Sequence, residues 1–235
     1  MKIPIQKELF LVIKKIFISA VVVSCLSISA CASSKYRVYQ DCRHTKGTAS
    51  SVTDVLHYDL DVVKRVIHIL KRASNCLEKD EFVSKEIFDD IVEVISGFSD
   101  RHHQEKEDKI LFPVLKIKDE GKKRDFLGRL LMEHVSARDE IRNLAKAINN
   151  IHHGKKAKRR IIKVARSYIK HMEKHIEMEE KILFPWINKV LTTDEHAMLI
   201  KKFEDMERED IEAGVHEKYS AMIERLEQQL GLCSE

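Results

Sequence analysis

The sequence predicts an all-α protein, an up-down four-helix bundle followed by an additional C-terminal helical segment. Three observations carry this. Only 7 Gly and 3 Pro occur among 235 residues, too few for the tight turns of a many-stranded β fold or for a Pro/Gly-rich disordered chain. Apolar residues recur three and four positions apart through four long stretches from residue 51 onward. The connections between those stretches are short, which places consecutive helices antiparallel.

The first thirty residues read as an address rather than as structure. They hold Lys2, Lys7, Lys14 and Lys15 against Glu8, so three of the four net positive charges lie there. The remainder is close to neutral and only 6% of the chain is aromatic, which gives no support to a nucleic-acid partner. After Lys15 the segment Ile16 to Ala30 has no charge, which suits an export signal and is short for a membrane span of ~20 residues. It ends in Ile28-Ser29-Ala30-Cys31, which resembles the lipobox of bacterial lipoproteins. That resemblance implies cleavage before Cys31, acylation of its thiol, and a chain anchored by lipid at the periplasmic or extracellular face of the cell envelope. Ala32 follows the cysteine, which favours the outer membrane in a Gram-negative cell. Residues 31–50 are polar and aperiodic, as a tether would be. Cys42, Cys76 and Cys233 are widely spaced with no CxxC, so neither a disulfide framework nor a Cys-rich metal site is read from them.

The expected bundle occupies residues 51–190. Ser51 and Asp54 open the first helix, whose stripe is Leu56, Leu60, Val63, Ile67 and Leu70. A second helix is expected from about Asp80 to Pro113, with Ile91, Ile95, Phe98 and Ile110 inward, and Gly121 marks the break after it. The third carries Leu127, Leu130, Leu131, Ile141, Leu144 and Ile148, and the fourth, from 157 to 190, carries Ile161, Val164, Tyr168, Met172, Ile182 and Trp186. The basic run Lys155 to Arg160 reads as a solvated loop and helix start, with anionic lipid headgroups as the less favoured contact. Thr192 with Glu195 forms a capping-box pattern that opens the C-terminal extension, residues 191–235.

An internal repeat carries the functional information. His103-Gln-Glu-Lys-Glu107-Asp-Lys-Ile-Leu-Phe-Pro113 recurs 72 positions later as His175-Ile-Glu-Met-Glu179-Glu-Lys-Ile-Leu-Phe-Pro185. Each copy has an earlier histidine on the preceding helix, His57 and His134. A spacing of four stacks His and Glu on one helix face, and His134, His175 and Glu179 fall on the inward stripes, with His57 on the shoulder of its own. Ionised carboxylates in a core must be neutralised, paired or metal-bound. Inward basic residues are few, Arg138 being the nearest in sequence. Two divalent cations would satisfy all six groups, and imidazole with carboxylate suits iron, with manganese and zinc as competitors. The ferritin-like Glu-x-x-His pattern is missing, and His171-Met-Glu-Lys-His175 lacks the zincin general base after its first histidine.

His-x-x-x-Glu followed by Leu-Phe-Pro on helices two and four, with histidines on helices one and three, resembles the hemerythrin-like (HHE cation-binding) domain. Met132-Glu133-His134 to Arg138 resembles its third-helix segment, and Thr192 through Phe203 to His216-Glu-Lys-Tyr219 resembles the extension of many bacterial members. The resemblance implies a non-haem di-iron centre with His57, His103, His134 and His175 as ligands and Glu107 and Glu179 as bridges. Tyr58, His102, Arg138, Tyr168 and His171 are second-sphere candidates beside it. Oxygen-carrying hemerythrins have histidine where Arg138 stands and His-x-x-x-x-Asp where this chain has His175-x-x-x-Glu179. The pattern is closer to relatives that meet nitric oxide or peroxide. Three classes of function follow: a di-iron protein that binds or reduces oxygen, nitric oxide or peroxide; a non-catalytic sensor or buffer of iron; and a helical lipoprotein whose metal is structural. No nucleotide loop, flavin motif or CxxCH is present in the sequence, so an electron donor would come from outside.

Overall fold

A computed structural model describes residues 49–118 and 123–231. Cys31, Cys42, Gly121 and Cys233 lie outside the described residues. Helix α1 spans Val52–Glu78 and opens on a capping box, in which Ser51 and Asp54 each accept from the other's backbone N–H. Asp80, at positive φ, turns the chain into α2, Lys85–Val94, so the second helix starts five residues later than the sequence implies. It continues through two wide turns with i→i+5 bonding, π1 (Ile95–Gln104) and π2 (Glu107–Leu111), into α3, Phe112–Lys118. The expected stop at Pro113 does not occur. Pro113 is the second residue of α3, and the rod runs on through it to Lys118.

The third rod is α4, Arg124–Ile148. The fourth comprises α5 (Lys155–Met178), a wide turn π3 (Glu179–Leu183) and α6 (Phe184–Val190). The basic run forms the first turns of α5. The extension is α7 (Thr193–Glu212), with the Thr192–Glu195 capping box in place, and α8 (Val215–Gln229), entered through Gly214 at φ 70°. No strand occurs among the described residues.

In the bundle α5 lies beside both α1 and α4, and π1 packs against α1 and α4. The predicted apolar stripes form the core, with Leu56, Leu60, Ile91, Leu130 and Ile161 fully buried. Ile182 is the exception. It is 44% exposed, while Leu183 beside it is buried. The cause is π3: a turn closed i→i+5 holds more residues than an α turn, so the inward face passes from 182 to 183. In the other copy Leu111 is likewise buried and Ile110 only half so. Both wide turns precede Leu-Phe-Pro. The prolines at 113 and 185 cannot donate to the carbonyl four residues back and would collide with it, and widening the turn relieves that conflict.

The extension covers the bundle, α7 against α1 and π2, α8 against α1 and α2. Arg65 donates two bonds to Glu227, and Lys218 and Arg225 pair with Glu93 and Asp90. Closest approach is at Gly97, where a Cβ would overlap the Tyr219 hydroxyl and ring. Gly97→Ala is expected to lower unfolding stability by about 1–3 kcal/mol, the cost of an overpacked contact. In a Tyr219→Ala background the same change should cost much less, and denaturant melts of the four proteins give the coupling.

Candidate metal centre

Helical arithmetic decides which side chains reach the bundle axis. Second-rod residues His103 and Glu107, third-rod His134, and fourth-rod His175 and Glu179 are all at most 1% exposed. One donor atom each from Glu107, His134, His175 and Glu179 lies within 4.8 Å of the others. His134 and His175 point their Nε2 atoms at one another at 3.0 Å, and His134 Nε2 is 3.4 Å from Glu107. His175 Nε2 is 2.7 Å from Glu179, and His103 Nε2 is 3.6 Å from Glu179 and 4.0 Å from Glu107.

Behind the ring of ligands stands a ring of carboxylates. Asp108 accepts from Nδ1 of His134 at 2.6 Å, and Glu133 accepts from Nδ1 of His175 at 2.9 Å. Each bond turns the opposite nitrogen, Nε2, toward the centre and raises its basicity. Arg138 pairs with Asp108 and Asp100, so it reaches His134 only through Asp108. Tyr168 is buried and, with Gln104, Ser99, Asp100 and Arg138, lines a pocket of about 170 Å³ beside the second rod. Burial, then Asp100 and Glu140, push its phenol well above the usual range. His171 bonds Glu140 away from the centre, and Tyr58 is half-buried on α1.

His57 is not in this group. It is exposed on α1, its ring meeting that of Phe184 edge-on at 4.5 Å. Asp59, three residues after Leu56 and four before Val63, is the polar member of the buried stripe, at 2% exposure. Its carboxylate lies 3.8 Å from His103 Nδ1 and 2.6 Å from Lys106 Nζ. Lys106 is itself 1% exposed and is shared with Glu207 of the extension, also at 2.6 Å. Asp59, Lys106, Asp108, Glu133 and Glu207 were not identified from sequence. The stripe arithmetic at Asp59 could have found the first of them, whereas a long-range ion pair such as Lys106–Glu207 leaves no local signal.

A sequence profile of the hemerythrin HHE cation-binding domain matches residues 54–187 and, overlapping, 125–231. The chain belongs to the hemerythrin HHE cation-binding family. The two HHE matches begin near the starts of the first and third rods, as the 72-residue repeat requires. No curated protein and no solved structure matches the chain.

The side chains fit the cation-binding role of an HHE domain. Both nitrogens of His103 and all four carboxylate oxygens of Glu107 and Glu179 are buried with no hydrogen-bond partner, a costly arrangement that a bound cation resolves. Without metal, protons do that work. Burial opposes charge on His103, but Asp59, Glu107 and Glu179 raise it to about 10. His175 is raised to about 10 against the same opposition by Glu179 and Glu133. Burial beside Glu179 pushes Glu107 well above the carboxylate range, whereas Glu179, despite burial, is held well below it by His175 and His103. Burial lowers His134.

At pH 7 the metal-free centre therefore holds protons on His103 and His175, and Glu107 is the carboxylate pushed toward its neutral form. Metal loading is expected to release protons, about two from the imidazoles, and to weaken as pH falls, read by calorimetry in buffers of different ionisation enthalpy. In the same assay His57→Ala should load like the parent, while His103→Ala and Glu179→Ala should lose most of the metal.

Proposed function

We propose that the chain is a non-haem di-iron protein that binds or reacts with a small oxidant, oxygen, nitric oxide or peroxide, at the cell envelope. The observation that carries this reading is the mismatch between donor atoms and coordination demand. Three imidazoles and two bridging carboxylates supply about seven bonds, against roughly twelve for two octahedral ions. Asp59 is the first-rod group placed to add to them, in the position that sequence reading gives to His57. Part of its charge is already taken by Lys106. Structural metal sites are normally closed by protein ligands. An incomplete set leaves room for an exchangeable ligand. Bound iron would supply redox and Lewis-acid chemistry toward such a ligand.

The chain's own residues would do the rest. Asp108 and Glu133 fix the tautomer and aim of His134 and His175. The apolar core around them excludes bulk water, which strengthens every charge interaction inside. The pocket beside Tyr168 and Gln104, about 170 Å³, has the size for water and small molecules. Iron buffering remains the alternative, because the donor set holds iron whether or not turnover follows. Envelope location rests on the signal-like segment and Cys31.

Adding nitric oxide to the anaerobic ferrous protein, and azide to the ferric one, should change the visible spectrum of a fully loaded centre. Unchanged spectra with both would remove the open-site argument and favour a structural metal. Mass spectrometry of the native N-terminus should find a lipid-modified Cys31; a lipid-free terminus elsewhere contradicts the envelope assignment.

A further inference from the structure

Adjacent residues on a helical rod point in different directions, and His102 and His103 use this. His103 faces the bundle axis, while His102, 2% exposed, faces the extension. There it meets Glu207 of α7 and His216 of α8, with side-chain exposures of 5% and 12%. Donor atoms of the three lie within 4.8 Å of one another. His102 Nδ1 is 3.5 Å and His216 Nε2 is 3.8 Å from the same atom, Glu207 Oε1. Those separations exceed good hydrogen bonds. They approach the ligand-to-ligand edge of a tetrahedral ion, about 3.4 Å for bonds of 2.0–2.1 Å.

The surroundings match such an ion. Asp210 Oδ2 lies 3.6 Å from His102 Nε2, the nitrogen left over once Nδ1 is used. Asp108 and Glu133 stand behind His134 and His175 on the corresponding side of the ring, but closer, at 2.6 and 2.9 Å. Lys106 Nζ lies 2.6 Å from the same Glu207 Oε1 and 2.6 Å from Asp59, so one ammonium is divided between two carboxylates. The exposed Arg101 lies 3.7 Å from the same Asp210 Oδ2. Phe98 covers the cluster, its ring 5.6 Å from His102 and 6.0 Å from His216, and keeps water from competing.

We propose that His102, Glu207 and His216 form a second cation site, distinct from the buried centre, which takes one divalent transition ion, zinc or ferrous iron, and clamps the C-terminal extension to the second rod. Two imidazoles and one carboxylate leave a fourth position for water. The three ligands come from three elements, π1, α7 and α8, so binding would add a joint to segments that also pack through Leu199, Phe203, Ile223 and Leu226 in the core. The proposal does not depend on the centre's being a di-iron site.

The test uses the full-length chain, stripped with chelator and titrated with cobalt(II) as a spectroscopic substitute for zinc. The parent should bind one equivalent beyond those in the buried centre, with the intense visible bands of a tetrahedral ion. His216→Gln should lose that equivalent and those bands, while the iron of the buried centre and its nitrosyl spectrum persist. Glu179→Gln should show the reverse, which separates failure of this site from failure of the di-iron reading. Where a variant does not fold, the parent alone decides. With its centre iron-loaded, added zinc should slow amide exchange in α7 and α8 by roughly tenfold or more. Equal cobalt uptake by His216→Gln and the parent, or exchange unaffected by zinc, overturns the proposal.

Discussion

Everything else in this bundle answers to two carboxylates, Glu107 and Glu179, placed at the axis without exposure and without well-aligned hydrogen bonds. Two such charges cannot both stay ionised in a protein interior unaided. Imidazoles from three rods close around them, and Asp108 and Glu133 lock two of those rings from behind. Without metal the cluster stays soluble in its own core only by holding protons, with Glu107 and Glu179 pushed to opposite sides of the carboxylate range. With cations it needs none. Metal affinity, proton affinity and bundle stability are therefore one coupled quantity.

The repeat explains how a short sequence builds so concentrated a site. Each copy pairs His-x-x-x-Glu with Leu-Phe-Pro, and in each the glutamate opens a widened turn whose first carbonyl accepts from the Phe N–H five residues on. The proline supplies the reason for the wide turn, and the wide turn carries Leu111 and Leu183 into the core. Ligand geometry and core packing thus follow from the same eleven-residue segment. Its two copies are attached to different neighbours. The copy on the fourth rod lies between α1 and α4, while that on the second rod also meets the extension, so Lys106 finds Glu207 where the other copy has Met178, half-buried.

The rods, their order and most of the core were legible because apolar period and caps are local properties. Ile182 was misassigned because an α period was carried through a turn that proline widens. The centre was legible where ligands recur in pairs, as at His103 and His175. It was not at α1, where attention to histidine favoured His57 over Asp59, although the Leu56–Asp59–Val63 spacing marks the carboxylate as the inward group. Lys106 and Glu207 lie about a hundred residues apart, and only tertiary packing could reveal that each buries the other's charge.

The central claim is that this chain uses paired metal ions, not protons, to hold its buried carboxylates. Mössbauer spectroscopy of the full chain, reconstituted anaerobically with iron-57 and then oxidised, tests it most directly. The account predicts about two irons in the buried centre, magnetically coupled when ferric because Glu107 and Glu179 would bridge them. A single uncoupled iron in that centre, with Asp59 and Lys106 occupying the second position as an ion pair, would contradict it.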